Sequence, residues 1–293
     1  ALKRALQESR PEIVFHLAAQ PLVRRSYQDP VETFSTNVMG TVNLLDAVRR
    51  TPSVRAVVVM TSDKCYENKE RIGGYREDDP MGGHDPYSAS KGCAELVTTA
   101  YRRSYFADTS SPVAVASVRA GNVIGGGDWG EDRLVPDAVR ALQQNQPLVV
   151  RNPEAVRPWQ HVLEPLAGYL MLAERLYREK DPWAGAWNFG PLDQDTVPVA
   201  TLADMVFRLW GKGSRRASAD QDHPHETHFL KLDCSKAGHI LGWRPSLNLE
   251  ETVGLTVSWY RQAVSAEPRP DMYKMTAGQI ADYESRLKTP SRG

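Results

Sequence analysis

At 293 residues, 41% of them hydrophobic and 25% charged, the chain holds enough material for a sizeable core in one large or two modest domains. Its 36 Lys+Arg and 36 Asp+Glu cancel, which excludes the one-signed field of a nucleic-acid or anionic-membrane binder and leaves any anionic ligand to local cations. Cys65, Cys93 and Cys234 form no Cys-x-x-Cys pair or disulfide framework, no apolar run reaches membrane-span length, and residues 1–10 lack the apolar stretch of a secretion signal, so the expected setting is the cytoplasm.

Residues 1–9 read as the end of a helix, and Ile13–Leu17 as a short buried parallel strand. From Pro30 to Arg50, Phe34, Val38, Val42 and Leu45 recur at helical spacing. A strand at Ala56–Met60 ends in Thr61-Ser-Asp-Lys64, and a polar loop leads to Pro86, which opens a helix running to about Phe106. Val113–Val118 is a third strand, followed by Arg119-Ala-Gly-Asn122. Strands and helices alternating at this spacing predict right-handed crossovers and a parallel sheet covered on both faces, with ligands at the carboxyl ends of the strands. Beyond Gly130 the segments shorten: helices at 134–143, 163–179, 199–210 and 249–263, strands at 147–150 and 187–189, and a helix from Asp233 closed by Gly242. The charged tail after about Pro268 is expected to be loosely held.

Tyr87 and Lys91 stand four apart on one helix, so they share a face, and an ammonium beneath a phenol favours the phenolate. Taken alone, Tyr-x-x-x-Lys equally fits an amphipathic surface helix. With the other motifs it gains a context. Phe15-His-Leu-Ala-Ala-Gln20, the run from Asn37 to Leu45, Thr61-Ser-Asp-Lys64, Tyr87-x-x-x-Lys91 and Arg119-x-Gly-Asn-Val-Ile-Gly125 come in the order that resembles extended short-chain dehydrogenase/reductases, and within them nucleotide-sugar 4,6-dehydratases. Ala19–Arg25, Asp63-Lys64, Gly125-Gly-Gly-Asp-Trp129, Arg157-Pro-Trp-Gln-His161 and Leu230-Lys-Leu-Asp233 resemble the subfamily acting on CDP-glucose.

The resemblance implies an α/β fold: a Rossmann-type doubly wound parallel sheet, incomplete at its start because the first strands and Gly-rich turn of the family would precede residue 1, with a smaller α+β substrate-binding domain. Residues 1–130, with 161–189 packed back on them, would form the NAD-binding part, and 131–160 with 190–293 the nucleotide-sugar domain. Gly125, Gly127 and Gly130 make a formal Gly-x-Gly-x-x-Gly, but no ribose-binding acid follows it, so it reads as a flexible loop at the substrate entrance.

The resemblance further implies the roles. Tyr87, aided by Ser62 and Lys91, takes the proton of the sugar 4-hydroxyl while bound NAD takes hydride from C4. Asp63 is the acid for the departing 6-hydroxyl. Lys64 stands where other dehydratases have a glutamate as the C5 base, although an Asp63–Lys64 salt bridge would explain the same two residues. Ala18, Ala19, Gln20, Asn37 and Thr61 join Tyr87 and Lys91 around NAD. Gln20, Arg24, Asn122, Arg151, Arg157 and His161 would hold the nucleotide sugar, Arg157 foremost because a guanidinium grips phosphate bidentately. A homodimer through the helices at 32–50 and 87–106 is also implied. Epimerases of the superfamily lack the acid and base after the serine, and a binding-only product is the remaining alternative.

His223-Pro-His-Glu-Thr-His228 fits a substrate-domain loop better than a metal site. Cys65 shows no relay of base and orienter and reads as packing. Trp159, Trp187, Trp210 and Trp243 read as core, and Arg25 as surface.

Overall fold

A computed structural model describes residues 1–71, 73–108, 111–219, 229–265 and 270–288. In chain order the elements are α1 (Leu2–Ser9), β1 (Ile13–His16), α2 (Val23–Gln28), α3 (Pro30–Phe34), α4 (Gly40–Val48), β2 (Ala56–Met60), α5 (Pro86–Tyr101), β3 (Ala114–Arg119), β4 (Val123–Ile124), α6 (Leu134–Gln143), β5 (Leu148–Val150), β6 (Val156–Pro158), β7 (Gln160–His161), α7 (Leu163–Glu179), β8 (Gly185–Asn188), β9 (Thr196–Pro198), α8 (Val199–Trp210), β10 (Arg215–Ala217), α9 (Leu249–Ser265) and α10 (Met272–Lys288). A wide π-type turn, Ser35–Met39, joins α3 to α4, and a second, Arg102–Phe106, continues α5. The chain divides into two compact units, residues 1–121, 167–189 and 230–243, and residues 122–166, 190–229 and 244–293.

The first unit is built on a parallel sheet in the order β1-β2-β3-β8. Period-2 alternation divides its side chains between two faces. Val57, Val59 and Val115 meet Leu6 of α1, Leu44, Leu45 and Val48 of α4, and Phe106. On the opposite face Ile13 and Phe15 line a groove with Leu170, Ala173 and Tyr177 of α7. The expectation of a buried first strand fails here: Ile13 and Phe15 are both 37% exposed, because β1 is an edge strand paired only with β2 among the described residues. The first unit also takes in residues 230–243, since Leu230 and Leu232 pack with Cys65, Tyr66 and Tyr75. Its break comes at Gly121, ahead of the expected 130.

The core of the second unit gathers α6, β5, α8 and α9 around Val139, Leu202, Val206, Val253, Trp159 and Tyr260. Three short strand pairs complete it: β4 with β7 and β5 with β10, both parallel, and β6 with β9, antiparallel. Trp210 packs on this core only half-buried, whereas Trp159 is within it. Two expectations are corrected. Over its described residues the tail is not loose, since α10 docks through Thr276 Oγ1, which accepts the Trp259 indole N–H at 3.0 Å, through the Gln279 amide donating to Leu255 O at 2.8 Å, and through Tyr283. The glycine loop is not free either. A Cβ on Gly126 would overlap the Trp259 ring, and Asp128 pairs with Arg133 at 2.7 Å while its carbonyl accepts the Tyr260 hydroxyl.

Candidate active site

The carboxyl end of β2 is held to β3 by Thr61 N–H donating to Val118 O at 2.9 Å and Asp63 N–H to Ala120 O at 3.3 Å. Between them the chain makes a tight turn over Asp63–Cys65. Ser62 Oγ accepts the Lys64 N–H at 3.2 Å and donates to Asp63 Oδ1 at 2.9 Å, so hydroxyl and carboxyl group are locked together, both buried. Lys64 follows, half-buried.

Helix α5 begins beside this turn because its first residues carry every start signal. Asp85 accepts the Ser88 N–H at 2.9 Å and the Ser88 hydroxyl at 2.6 Å, and Pro86 occupies the first helical position. Tyr87 and Lys91 lie one turn apart on the buried face, with the Tyr87 N–H donating to Ser26 Oγ at 3.1 Å. Lys91 Nζ lies 3.4 Å from Met60 O, the last carbonyl of β2, which ties the helix to the Ser62 turn. Burial brings the Lys91 ammonium down to about 8, against the opposing influence of Cys65 and Glu95. Its charge is therefore poised near neutrality. Burial pushes the Cys65 thiol well up, in keeping with a packing role.

The loop after β1 is closed by one asparagine. Asn37 Oδ1 accepts the Gln20 N–H at 2.8 Å, and its amide nitrogen donates to Gln20 O at 3.1 Å and to Ser90 Oγ at 2.8 Å, the latter on α5. Ala18, exposed, and Ala19, half-buried, ride on this loop. The Gln20 side chain serves the loop itself, donating to Thr33 Oγ1 at 2.8 Å and accepting the Leu22 N–H at 2.7 Å, so only a remaining lone pair is left for a sugar. Arg24 is half-buried on α2. Arg25 is paired with Glu32 at 2.8 Å on the surface.

Behind the turn lies a group that the motifs did not single out. Glu95, one turn beyond Lys91, pairs with Arg119 at 2.8 Å, both nearly inaccessible, and accepts the hydroxyls of Thr61 at 2.5 Å and Ser117 at 2.7 Å. Burial raises the Glu95 carboxyl, but the hydrogen bond and charge of Arg119 outweigh it, so Glu95 stays ionised and Arg119 is held well above its ordinary value. The available signal was helical spacing: Glu95 is four residues after Lys91, on the same face.

The remaining expected substrate contacts belong to the second unit. Asn122 sits in the left-handed region at φ 49° and offers its carbonyl to the Gln160 N–H at 3.3 Å, where β4 meets β7. His161 is buried, Nδ1 accepts the Leu163 N–H at 3.3 Å, and burial lowers its pKa to about 4, so it is neutral with Nε2 as the donor. Arg157 Nη1 donates to Val156 O at 2.9 Å, and Arg151 pairs with Asp132 at 2.8 Å, which makes Arg151 a structural ion pair as it stands. The His223–His228 run lies outside the described residues.

The model of the family described as GDP-mannose 4,6 dehydratase matches residues 1–256. The CDP-glucose 4,6-dehydratase of Salmonella typhimurium is 53% identical over 287 residues, covering 97% of this chain and 79% of that protein. A dTDP-glucose 4,6-dehydratase of Xanthomonas campestris is 27% identical over 274 residues, covering 88% and 74%. Among solved structures, the UDP-glucose 4-epimerase of Thermus thermophilus in complex with NAD superposes with a TM-score of 0.77 at 27% identity, over 90% of this chain and 82% of that one. The parallel sheet is thus of the Rossmann type.

Proposed function

The chain belongs to the family of GDP-mannose 4,6-dehydratases, and on that footing we propose that it is an NAD-dependent nucleotide-sugar 4,6-dehydratase that turns CDP-glucose into CDP-4-keto-6-deoxyglucose. What carries the reading is the Ser62–Lys64 turn: a hydroxyl hydrogen-bonded to a buried carboxyl group, followed by a lysine, beside the helix that presents Tyr87 and Lys91.

The residues present suit the nicotinamide-ribose end of the cofactor. Lys91 is a buried cation with ammonium protons to spare beyond its one contact to Met60 O, and Asn37 holds the Ala18–Gln20 loop in a fixed shape at the carboxyl ends of the strands. NAD, when bound there, would supply a hydride acceptor for C4 of the sugar and a hydride donor for C6.

The protein's own groups manage the protons. Tyr87 takes the proton of the 4-hydroxyl, with the Lys91 ammonium stabilising its phenolate and Ser62 sharing a hydrogen bond with the sugar oxygen. The resulting 4-ketone acidifies C5. Asp63, in its protonated form, then gives its proton to the leaving 6-hydroxyl, which departs as water, and Lys64, as the free amine, takes the C5 proton. Arg157, with Asn122 and His161, supplies the local contacts for the pyrophosphate, and Arg24 and Arg151 are the weaker candidates.

Exposed Val31, Phe34, Met39, Leu96 and Tyr105, on or beside the helices over 30–48 and 86–106, support a homodimer, to be checked by sedimentation. No disulfide joins Cys65, Cys93 and Cys234, and no helix among the described residues is long and apolar enough to cross a membrane, in keeping with a cytoplasmic enzyme.

The test supplies NAD with CDP-, dTDP- or UDP-glucose in turn and follows the keto-deoxy product by NMR. Turnover of CDP-glucose is expected, and Asp63→Asn should stall after C4 oxidation. Consumption of another nucleotide sugar with CDP-glucose untouched would sink the reading; a 4-epimerised product would return the chain to the epimerases it resembles in fold.

A further inference from the structure

At the amino end of the edge strand β8, on the first unit, two cations face one glycine. A Cβ placed on Gly185 would stand 3.8 Å from Lys236 Nζ and 3.9 Å from Arg102 Nη1, and among the described residues no other atom outside the chain neighbours comes within 4 Å. Gly185 has φ 147°, a conformation that other residues seldom adopt, so the backbone itself keeps this space clear. Arg102 Nη1 is buried and has no hydrogen-bond partner among the described residues. Lys236 Nζ donates to Ala186 O at 2.7 Å and lies 4.1 Å above the Trp187 ring, which fixes its position and leaves further ammonium protons to donate.

The nearby carboxylates do not supply the missing acceptor for Arg102 Nη1. Glu95 is committed to Arg119, and Glu77 accepts the Asn188 N–H at 2.9 Å. Asp181 is exposed, and no ion pair joins it to Arg102. Burial lowers the pKa of both cations; on Lys236 the attraction of Glu77 opposes it, while Arg102 and Arg119 add to it. A partly desolvated guanidinium N–H without an acceptor is costly, and a like charge beside it raises that cost.

We infer that Arg102, Lys236 and the cleared face of Gly185 form a binding site for a small oxyanion of the phosphate class. It is separate from the candidate active site: Gly185 stands three residues before Asn188 on β8, roughly 10 Å along the strand from the carboxyl ends that carry the Ser62 turn. An oxyanion there accepts from both cations, satisfying the stranded N–H and removing the repulsion. It acts as a stabilising or regulatory ligand of the sheet edge.

The experiment titrates the whole chain with inorganic phosphate against sodium chloride of equal ionic strength, reading the thermal midpoint and, by calorimetry, the affinity. Wild-type protein should gain midpoint with phosphate and not with chloride. Arg102→Gln and Lys236→Gln should each weaken phosphate binding by about tenfold or more, as expected for loss of one charge-assisted hydrogen bond. Exposed Arg103→Gln should bind phosphate as wild type does, and Arg157→Gln should too, which separates this site from the candidate substrate-phosphate contact. Equal phosphate affinity in wild type and in both variants at Arg102 and Lys236 would overturn the inference. So would a midpoint gain that chloride reproduces, which would mean an adventitious ion only, or a space filled by water only.

Discussion

The Asp63 carboxylate rests directly on the backbone of Gly121, so closely that a Cβ at position 121 would overlap Oδ2 and Cγ. Asp63 cannot retreat easily, because its N–H is bonded to Ala120 O and its Oδ1 accepts the Ser62 hydroxyl. The Gly in Arg119-x-Gly is thus a steric requirement of the candidate acid. Gly121→Ala should displace the carboxylate and slow dehydration by about 10²-fold or more, within the range of lost general acid catalysis. In a single turnover, reduced nicotinamide should accumulate, since C4 oxidation does not use Asp63. A variant with normal turnover and no such accumulation would show that Asp63 does not act as the acid.

Lys91 makes a pH prediction. With a folded pKa of about 8, its charge is present below that pH and lost above it, so kcat/KM should fall on the alkaline side with a midpoint near 8. Lys91→Arg should move that limb to higher pH, because a guanidinium stays charged. The stability sign is opposite to that of a salt-bridged lysine. The folded value lies below the ordinary 10.5, so between about 8 and 10.5 the unfolded chain binds more protons and stability rises with pH; the contribution is lost as pH falls towards 8. Urea unfolding of wild type minus Lys91→Met should show that slope, and a flat difference would contradict the buried ammonium.

Much of this architecture could be read from residue order. The helices at 134–143, 163–179 and 199–210 had clear apolar periods, and Asp85 and Pro86 marked the start of α5. Period alone does not separate a π-type turn from an α-helix, so Ser35–Met39 and Arg102–Phe106 were invisible. Helix α10 was missed because only Gln279 and Tyr283 of it are buried, too few to make a stripe. The exposure of β1 could not be foreseen either, since its Ile-Val-Phe run looks the same at a sheet edge as at its centre. Candidate site residues that follow one another on a single element, such as Ser62–Lys64, can be named from residue order alone. Pairs between elements, such as Glu95 with Arg119, depend on strand register and cannot be.

Glu95 and Arg119 form a buried ion pair that also anchors Thr61 at the head of the Ser62–Lys64 turn. Breaking such a pair strands a charge, so Glu95→Gln should cost about 3–5 kcal/mol in urea unfolding. Replacing both residues by Met should cost clearly less than Glu95→Gln alone, because no charge is left uncompensated. If the double replacement were as damaging as the single one, the pair would matter through its hydrogen bonds to Thr61, Ser117 and Tyr66 more than through charge balance.

Glu164 and Tyr283 test the docking of α10. Glu164 is almost wholly buried, accepts the Ser246 and Leu247 N–H groups at 2.9 and 2.7 Å through Oε1, and takes the Tyr283 hydroxyl at 2.8 Å on Oε2. Burial raises the Glu164 carboxyl, and the Tyr283 hydroxyl is the first of the bonds that offset it. A raised folded pKa means that ionised Glu164 weighs against the fold as pH rises through it, and the hydroxyl relieves that weight only in the ionised state. Tyr283→Phe should therefore destabilise by roughly 1.5–3 kcal/mol well above the Glu164 pKa, as for a lost hydrogen bond to a charged group, and by less as the carboxyl takes its proton. Chemical unfolding of both forms across that range reads the difference directly. A penalty that does not change with pH would mean that α10 is held by its apolar contacts and the Gln279–Leu255 bond, with the Tyr283 hydroxyl contributing little.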